Sequence, residues 1–136
     1  MKKYVVIIVS CILLILGFLK FRRKKQGTEY IEEIKKQKEV LKARTLSDIQ
    51  VKAIVSKLYF DLLENNTEDE QDAIAQILQI KNLGDWLNVV SVFGVRKDNA
   101  WSKSFEGTLP QAITEYLHGN DLKAIKEHLA SVNVVL

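Results

Sequence analysis

Cysteine, histidine, proline and glycine are all scarce in this 136-residue chain. The one cysteine, Cys11, lies inside an apolar run, so neither a disulfide nor a cysteine-based zinc site can form within a single chain. The two histidines, His118 and His128, match no metal or triad spacing, and no glycine-rich phosphate loop is present. His118 falls near an expected helix C-terminus, where a cation is favourable, and a structural or solvated role suits both rings. These absences leave no catalytic residue to name, so the chain reads as a non-enzyme with no cofactor and no small-molecule substrate.

Positive charge is missing where it would matter for nucleic acid. The net charge of +3 arises because seven of the twenty Lys and Arg residues precede the first acidic residue, Glu29. From residue 26 onward thirteen basic residues face seventeen acidic ones, so this part is acidic and no nucleic-acid partner is expected.

What the chain does have is one uncharged apolar run, residues 4 to 19, long enough for about 24 Å of helix. Lys20 can snorkel, Phe21 extends the run, and Tyr4 and Phe18 sit where interfacial aromatics belong. Met1-Lys2-Lys3 before an apolar core also opens a cleavable signal peptide, but no small-x-small site closes it. The basic flank Lys20, Arg22, Arg23, Lys24 and Lys25 follows directly, as after a retained anchor. A lipoprotein reading of Ser10-Cys11 is weaker, because most of the strongest apolar stretch lies after the cysteine. Five basic side chains after the run against two before it predict a single-pass membrane protein with a cytoplasmic C-terminal domain.

The expected organisation is a transmembrane anchor (1–21), a basic flank and charged stalk helix (22–46), and a helical domain (47–136). In the stalk, Tyr30, Ile31, Ile34 and Leu41 form a thin apolar stripe that lapses at Gln37 and Lys38, too short for sustained heptads. Ser47 with Gln50 makes a capping box, with Leu46 and Val51 at the staple positions. It starts a helix with Val51, Ile54, Val55, Leu58 and Leu62 inward to about Asn65. Thr67 with Glu70 starts a second helix, its inner face Ile74, Ile77 and Leu78. Asn82 with Asp85 caps a third, carrying Trp86, Leu87, Val89, Val90 and Phe93 and stopped by Gly94; a buried strand over Val89 to Phe93 is the alternative.

Val95 to Gly107 shows no period and reads as a long loop, with Trp101 and Phe105 as packing residues. Its Arg96, Lys97, Trp101, Lys103 and Phe105 also mix basic and aromatic side chains, as docking surfaces do. Thr108, Pro110 and Gln111 start a fourth helix, ended by Gly119; Asn120 or Asp121 starts a fifth with Leu122, Ile125 and Leu129 inward. Val132, Val134, Val135 and Leu136 make an apolar tail expected to dock on the bundle.

Over roughly residues 48 to 130 this all-α pattern resembles a single annexin-type repeat. The resemblance rests on Ala53 and Leu58, Thr67-Glu68-Asp69-Glu70, Phe93-Gly94, Leu109, Ile113 and Leu117-His118-Gly119. It implies a compact five-helix bundle. Annexins bind membranes through calcium held by a Gly-x-Gly-Thr loop and an acidic side chain near the end of the fourth helix. Here the loop reads Glu64-Asn65-Asn66-Thr67 and the acidic position falls on Tyr116, with Glu115 beside it. The fold is carried over and calcium is not; Thr67, Glu68, Glu70 and Glu115 are the residues a calcium site would use.

The resulting expectation is an interaction protein that holds a small helical domain at a bilayer and presents it to a protein partner. Two rivals stand beside it. One is a structural subunit of a larger assembly, a secretion machine or virus particle, with the apolar helix packed against protein. The other is a calcium-dependent membrane-binding module.

Overall fold

A computed structural model describes residues 25–64, 70–98 and 105–136. Helices dominate, as the spacing predicts, and they enclose one apolar core. The apolar run 4 to 19 lies outside the described residues. Among the described residues no helix is long and apolar enough to cross a membrane.

The first described helix, α1 (residues 25–36), carries exposed Glu–Lys pairs on its outside, Glu32 with Lys35 and Glu33 with Lys36. Such exposed pairs add little. Ile31 and Ile34, three residues apart, are buried in the common core. The segment read as a stalk is therefore packed on the bundle, because even a thin apolar stripe gains by leaving water. Helical geometry breaks at Gln37 (φ −82°, ψ 58°), and α2 (Lys38–Lys42) follows.

Helix α3 (Asp48–Tyr59) begins at the expected capping box. The Gln50 amide nitrogen donates to Ser47 Oγ at 3.3 Å, and the Ser47 amide donates to Gln50 Oε1 at 2.8 Å. Its last turn widens into a π-helix, Phe60–Glu64. The wider turns closed by i→i+5 bonds underwind the helix, so the adjacent Leu62 and Leu63 are both buried while Phe60 faces out. A 3.6-residue period anticipates Leu62 and misses Leu63.

Helix α4 (Glu70–Ile77) buries Ala73 and Ile77 and half-buries Ile74, but Leu78, expected inside, lies past its end and is 51% exposed. Helix α5 (Leu83–Phe93) is the central element, and it settles the strand alternative for residues 89 to 93: every residue from Gly84 to Val90 is buried, as is Phe93. Gly94, at φ 65°, ends it as predicted.

The start of α5 is the main polar junction. Asn82 Oδ1 accepts from the Asp85 amide at 2.8 Å, the expected cap, while its Nδ2 donates to Ala43 O at 2.8 Å. The Asp85 carboxylate is fully buried and receives four hydrogen bonds. Oδ1 accepts from the Thr45 and Leu46 amides (2.6 and 2.9 Å), and Oδ2 accepts from the Thr45 hydroxyl and the Lys81 amide (2.7 and 3.2 Å). Burial pushes its pKa up, but the bonds from Leu46, Thr45 and Lys81 outweigh burial and leave it below the ordinary value. Gly84 allows the close approach: a Cβ there would sit 2.5 Å from Val40 O and 2.9 Å from Arg44 N.

The stretch from Val95 to Gly107 is not wholly loop. Its ends pair as antiparallel strands β1 (Arg96–Lys97) and β2 (Glu106–Gly107), with Arg96 opposite Gly107 and Lys97 opposite Glu106. Two residues per strand are too few to show a period. Helix α6 (Leu109–Tyr116) starts where expected, with Gln111 Oε1 accepting from the Thr108 amide (2.8 Å) and hydroxyl (3.2 Å). It ends at Leu117, which turns extended, so Gly119 at φ 56° opens α7 (Gly119–Ser131) instead of closing α6. Helix α7 buries Ile125 and Leu129 and half-buries Leu122. In the tail Val132 and Val134 dock on either side of Asn133, which turns at φ 64°, whereas Val135 is exposed.

Candidate functional site

The antiparallel pair β1–β2, the base of a hairpin arm, brackets in sequence the basic and aromatic residues singled out for docking, and the roles of the described ones divide. Arg96 serves the fold: its Nε donates to Phe93 O at 2.8 Å, and its guanidinium carbon lies 4.9 Å from the Tyr59 ring centre and 5.7 Å from that of Phe93. Phe105 is buried and meets Tyr116 edge-on, ring centres 5.6 Å apart. Lys97 is exposed. Trp101 and Lys103 lie outside the described residues.

Two partners in this arm have no local signal in the sequence. Asp98, buried, accepts a hydrogen bond from the Tyr116 hydroxyl at 2.6 Å, and its amide donates to Phe105 O at 3.0 Å. Eighteen residues separate Asp98 from Tyr116, so no helical or strand spacing links them. Tyr59 completes the group from the end of α3. Burial raises its phenol pKa, and the charge of Glu64 and the hydrogen bond to it add in the same direction against the opposing Arg96. Together the Arg96–Tyr59 and Tyr116–Asp98 contacts tie the base of the arm to α3 and α6.

The other residues named from sequence are dispersed. Lys25 is exposed on α1, and Lys20, Arg22, Arg23 and Lys24 lie outside the described residues, as do Thr67 and Glu68. Glu70 opens α4, and Glu115 is on the exposed side of α6. Among the described residues no group of three His, Cys, Asp or Glu side chains is placed to hold a metal ion. His128 Nε2 sits 2.9 Å from Ile80 O, joining α7 to the turn before α5. His118 is exposed at the joint of two helices, directly after Leu117, the C-cap of α6, as its spacing suggests, and at the N-cap of α7.

A cleft of about 300 Å³ opens between α1 and the start of α6, lined by Gln26, Gly27, Tyr30, Thr108, Pro110 and Gln111. Among the described residues its lining has no carboxylate, thiol or imidazole, and Gln111 is already bonded to Thr108. Its side chains supply shape without an acid–base pair.

Comparison with known proteins adds no relative: no protein-family model, curated protein or solved structure matches the chain.

Proposed function

We propose that this chain is a non-catalytic interaction protein, held at a membrane by residues 4 to 19, that offers its helical domain to a protein partner through the hairpin arm. The observation that carries this reading is the construction of the arm's base. Phe105, Asp98, Tyr116 and Arg96 are spent on holding it to α3 and α6. The six residues 99–104 between its strand ends include Trp101, a residue type enriched in binding hot spots, and the cation Lys103. A fixed base lowers the ordering cost of binding. Membrane attachment adds to this by raising the effective concentration of partners on the same surface.

The test has two parts. Alkaline carbonate should leave the full-length chain in the membrane pellet; release with a protein complex would favour an assembly subunit. Trp101→Ala with Lys103→Ala should leave thermal melting unchanged and lower recovery of the partner by at least about tenfold. Unchanged recovery would refute the arm as the contact.

A further inference from the structure

Gly27, early in α1, packs against the far end of α5: a Cβ there would lie 3.1 Å from Val95 Cγ2 and 3.3 Å from Thr108 Cγ2. Gly84, at the start of α5, instead abuts Val40 O and Arg44 N. The chain from α1 through α2 therefore runs antiparallel to α5, whose 11 residues set the two ends about 16 Å apart. Only residues 20–24 separate the apolar run from the first described residue, a reach of about 20 Å even fully extended. The domain itself is about 35 Å across. An anchor over residues 4 to 19 thus brings the Gly27 end of the domain beside the bilayer, whatever path the link takes.

The cleft between α1 and α6 opens at this end. Gln26, Gly27 and Tyr30 line it from α1, and Thr108, Pro110 and Gln111 from the start of α6. Its polar groups are neutral: the Tyr30 hydroxyl and the side-chain NH2 groups of Gln26 and Gln111 are donors suited to phosphodiester oxygens. The Tyr30 ring, 41% exposed, and Pro110 add apolar wall, and an aromatic face also attracts a quaternary ammonium. The charges nearest the lining along the chain have both signs: Lys25, Glu29 and Glu33 on α1, Glu106 with Lys97 opposite it, and Glu115 on α6. Such a rim exerts no one-signed pull on anionic lipid, whereas a zwitterionic headgroup presents both signs in return. At about 300 Å³ the cleft is at the small end of ligand sites, the size for a headgroup and not a whole lipid.

We propose that this cleft faces the bilayer and seats the headgroup of a zwitterionic phospholipid, its phosphate toward the donors and its ammonium toward the Tyr30 ring and the rim carboxylates. The inference rests on the anchored reading of residues 4 to 19 and gives the domain a second, orienting attachment. A folded protein fits this position poorly, because a gap of about 20 Å is narrower than a domain. The base of the hairpin arm stands at the same end, since Gly107 of β2 directly precedes Thr108, and this placement suits a partner carried on the same bilayer.

The test places the full-length chain, with Cys11→Ser, in phosphatidylcholine nanodiscs that contain phosphatidylcholine bearing a nitroxide on its headgroup. A bimane fluorophore is attached at Thr114→Cys, one turn beyond Pro110, or at Ile49→Cys, beside the Asp85 junction at the opposite end of α5. The Thr114 reporter should lose most of its fluorescence to the nitroxide, and the Ile49 reporter should keep most of its own. A Gly-Ser insert of about twenty residues after Lys24 adds roughly 25 Å of reach and separates seating from tethering. With the insert the difference between the reporters should persist, and Gln26→Ala with Tyr30→Ala should abolish it. Circular dichroism melts verify the fold, and Gln26→Leu with Tyr30→Phe replaces the alanine pair if those melts shift. Equal quenching of the two reporters in a chain that stays in the nanodisc would overturn the proposal and leave the anchor standing; a chain that leaves the nanodisc would overturn both. A difference indifferent to the cleft substitutions, or one that appears only with phosphatidylglycerol present, would also overturn the proposal. So would a difference that falls with Trp101→Ala and Lys103→Ala but not with the cleft variants, which would assign the lipid contact to the arm.

Discussion

Replacing Asp85 by alanine should destabilise the domain more than any single exposed substitution, because it strips the acceptor from four donors on the α2–α3 link and the turn before α5. The Leu46 amide is the critical one, since Leu46 is itself buried and water cannot readily replace the lost oxygen. An orphaned buried donor costs about 1–3 kcal/mol, and bonds to a charged acceptor contribute about 1.5–3 kcal/mol each without adding fully. Lys81 is exposed and its amide can turn to solvent, so the total for Asp85→Ala should be roughly 3–4 kcal/mol. Asp85→Asn keeps one oxygen for the Thr45 and Leu46 amides and sets an NH2 against the Lys81 amide, so it should cost about half as much. The assay is urea unfolding of the full-length chain in neutral detergent, followed by circular dichroism, with stability read from the midpoint at constant slope. The acid limb gives a second readout. Because the folded-state pKa is depressed, the stabilisation is complete above the unfolded carboxylate value of about 4 and is lost as pH falls through the folded value. Wild type should therefore lose stability below that point more steeply than Asp85→Asn. A midpoint for Asp85→Ala that shifts by less than about 1 kcal/mol would refute the junction's role.

Three further outcomes follow from the geometry. Gly84→Ala puts a better helix former into α5 but drives its Cβ into Val40 O and Arg44 N. The clash should win and cost about 2–3 kcal/mol by thermal melting, and a stabilised variant would show the α2–α5 contact to be loose. Asn88 on α5 buries its Nδ2 with no hydrogen-bond acceptor among the described residues. Asn88→Leu should therefore raise stability by about 1 kcal/mol, and a lower melting temperature would contradict this. Tyr116→Phe removes the hydroxyl that donates to Asp98. Amide hydrogen exchange at Asp98, whose N–H donates to Phe105 O, should quicken by about tenfold or more while α5 amides hold, and uniform exchange across the domain would refute local anchoring of the arm.

The parts of this fold legible in the sequence are those written within four residues of one another. Ser47 with Gln50, Asn82 with Asp85 and Thr108 with Gln111 mark helix starts at the observed places. Each is a bond between a side chain and the first turn of its own helix. The inward residues of α3 and α5 were legible for the same reason, since burial follows the helical period. Leu63 broke that rule at the π-turn, and Leu78 and Gly119 broke it where one helix ended and the next began. At such places the direction of the following segment, not local propensity, sets the outcome.

Of the candidate surfaces, the sequence marked the hairpin residues by type but could not say that Arg96 and Phe105 are consumed in holding the arm. The exposure of Ile49 and Phe60 has no mark in the sequence, where both read as ordinary apolar residues until their surroundings are known. Composition alone determined the asymmetry of the chain: an apolar run with a basic flank, then an acidic helical domain with no thiol or phosphate-loop chemistry. Tertiary structure decided that residues 25–42 join the bundle, that Asp85 ties segments some forty residues apart, and that one face of α3 stays uncovered. The division has one cause: caps and periods act between neighbours along the chain, while burial and exposure exist only once distant segments have met.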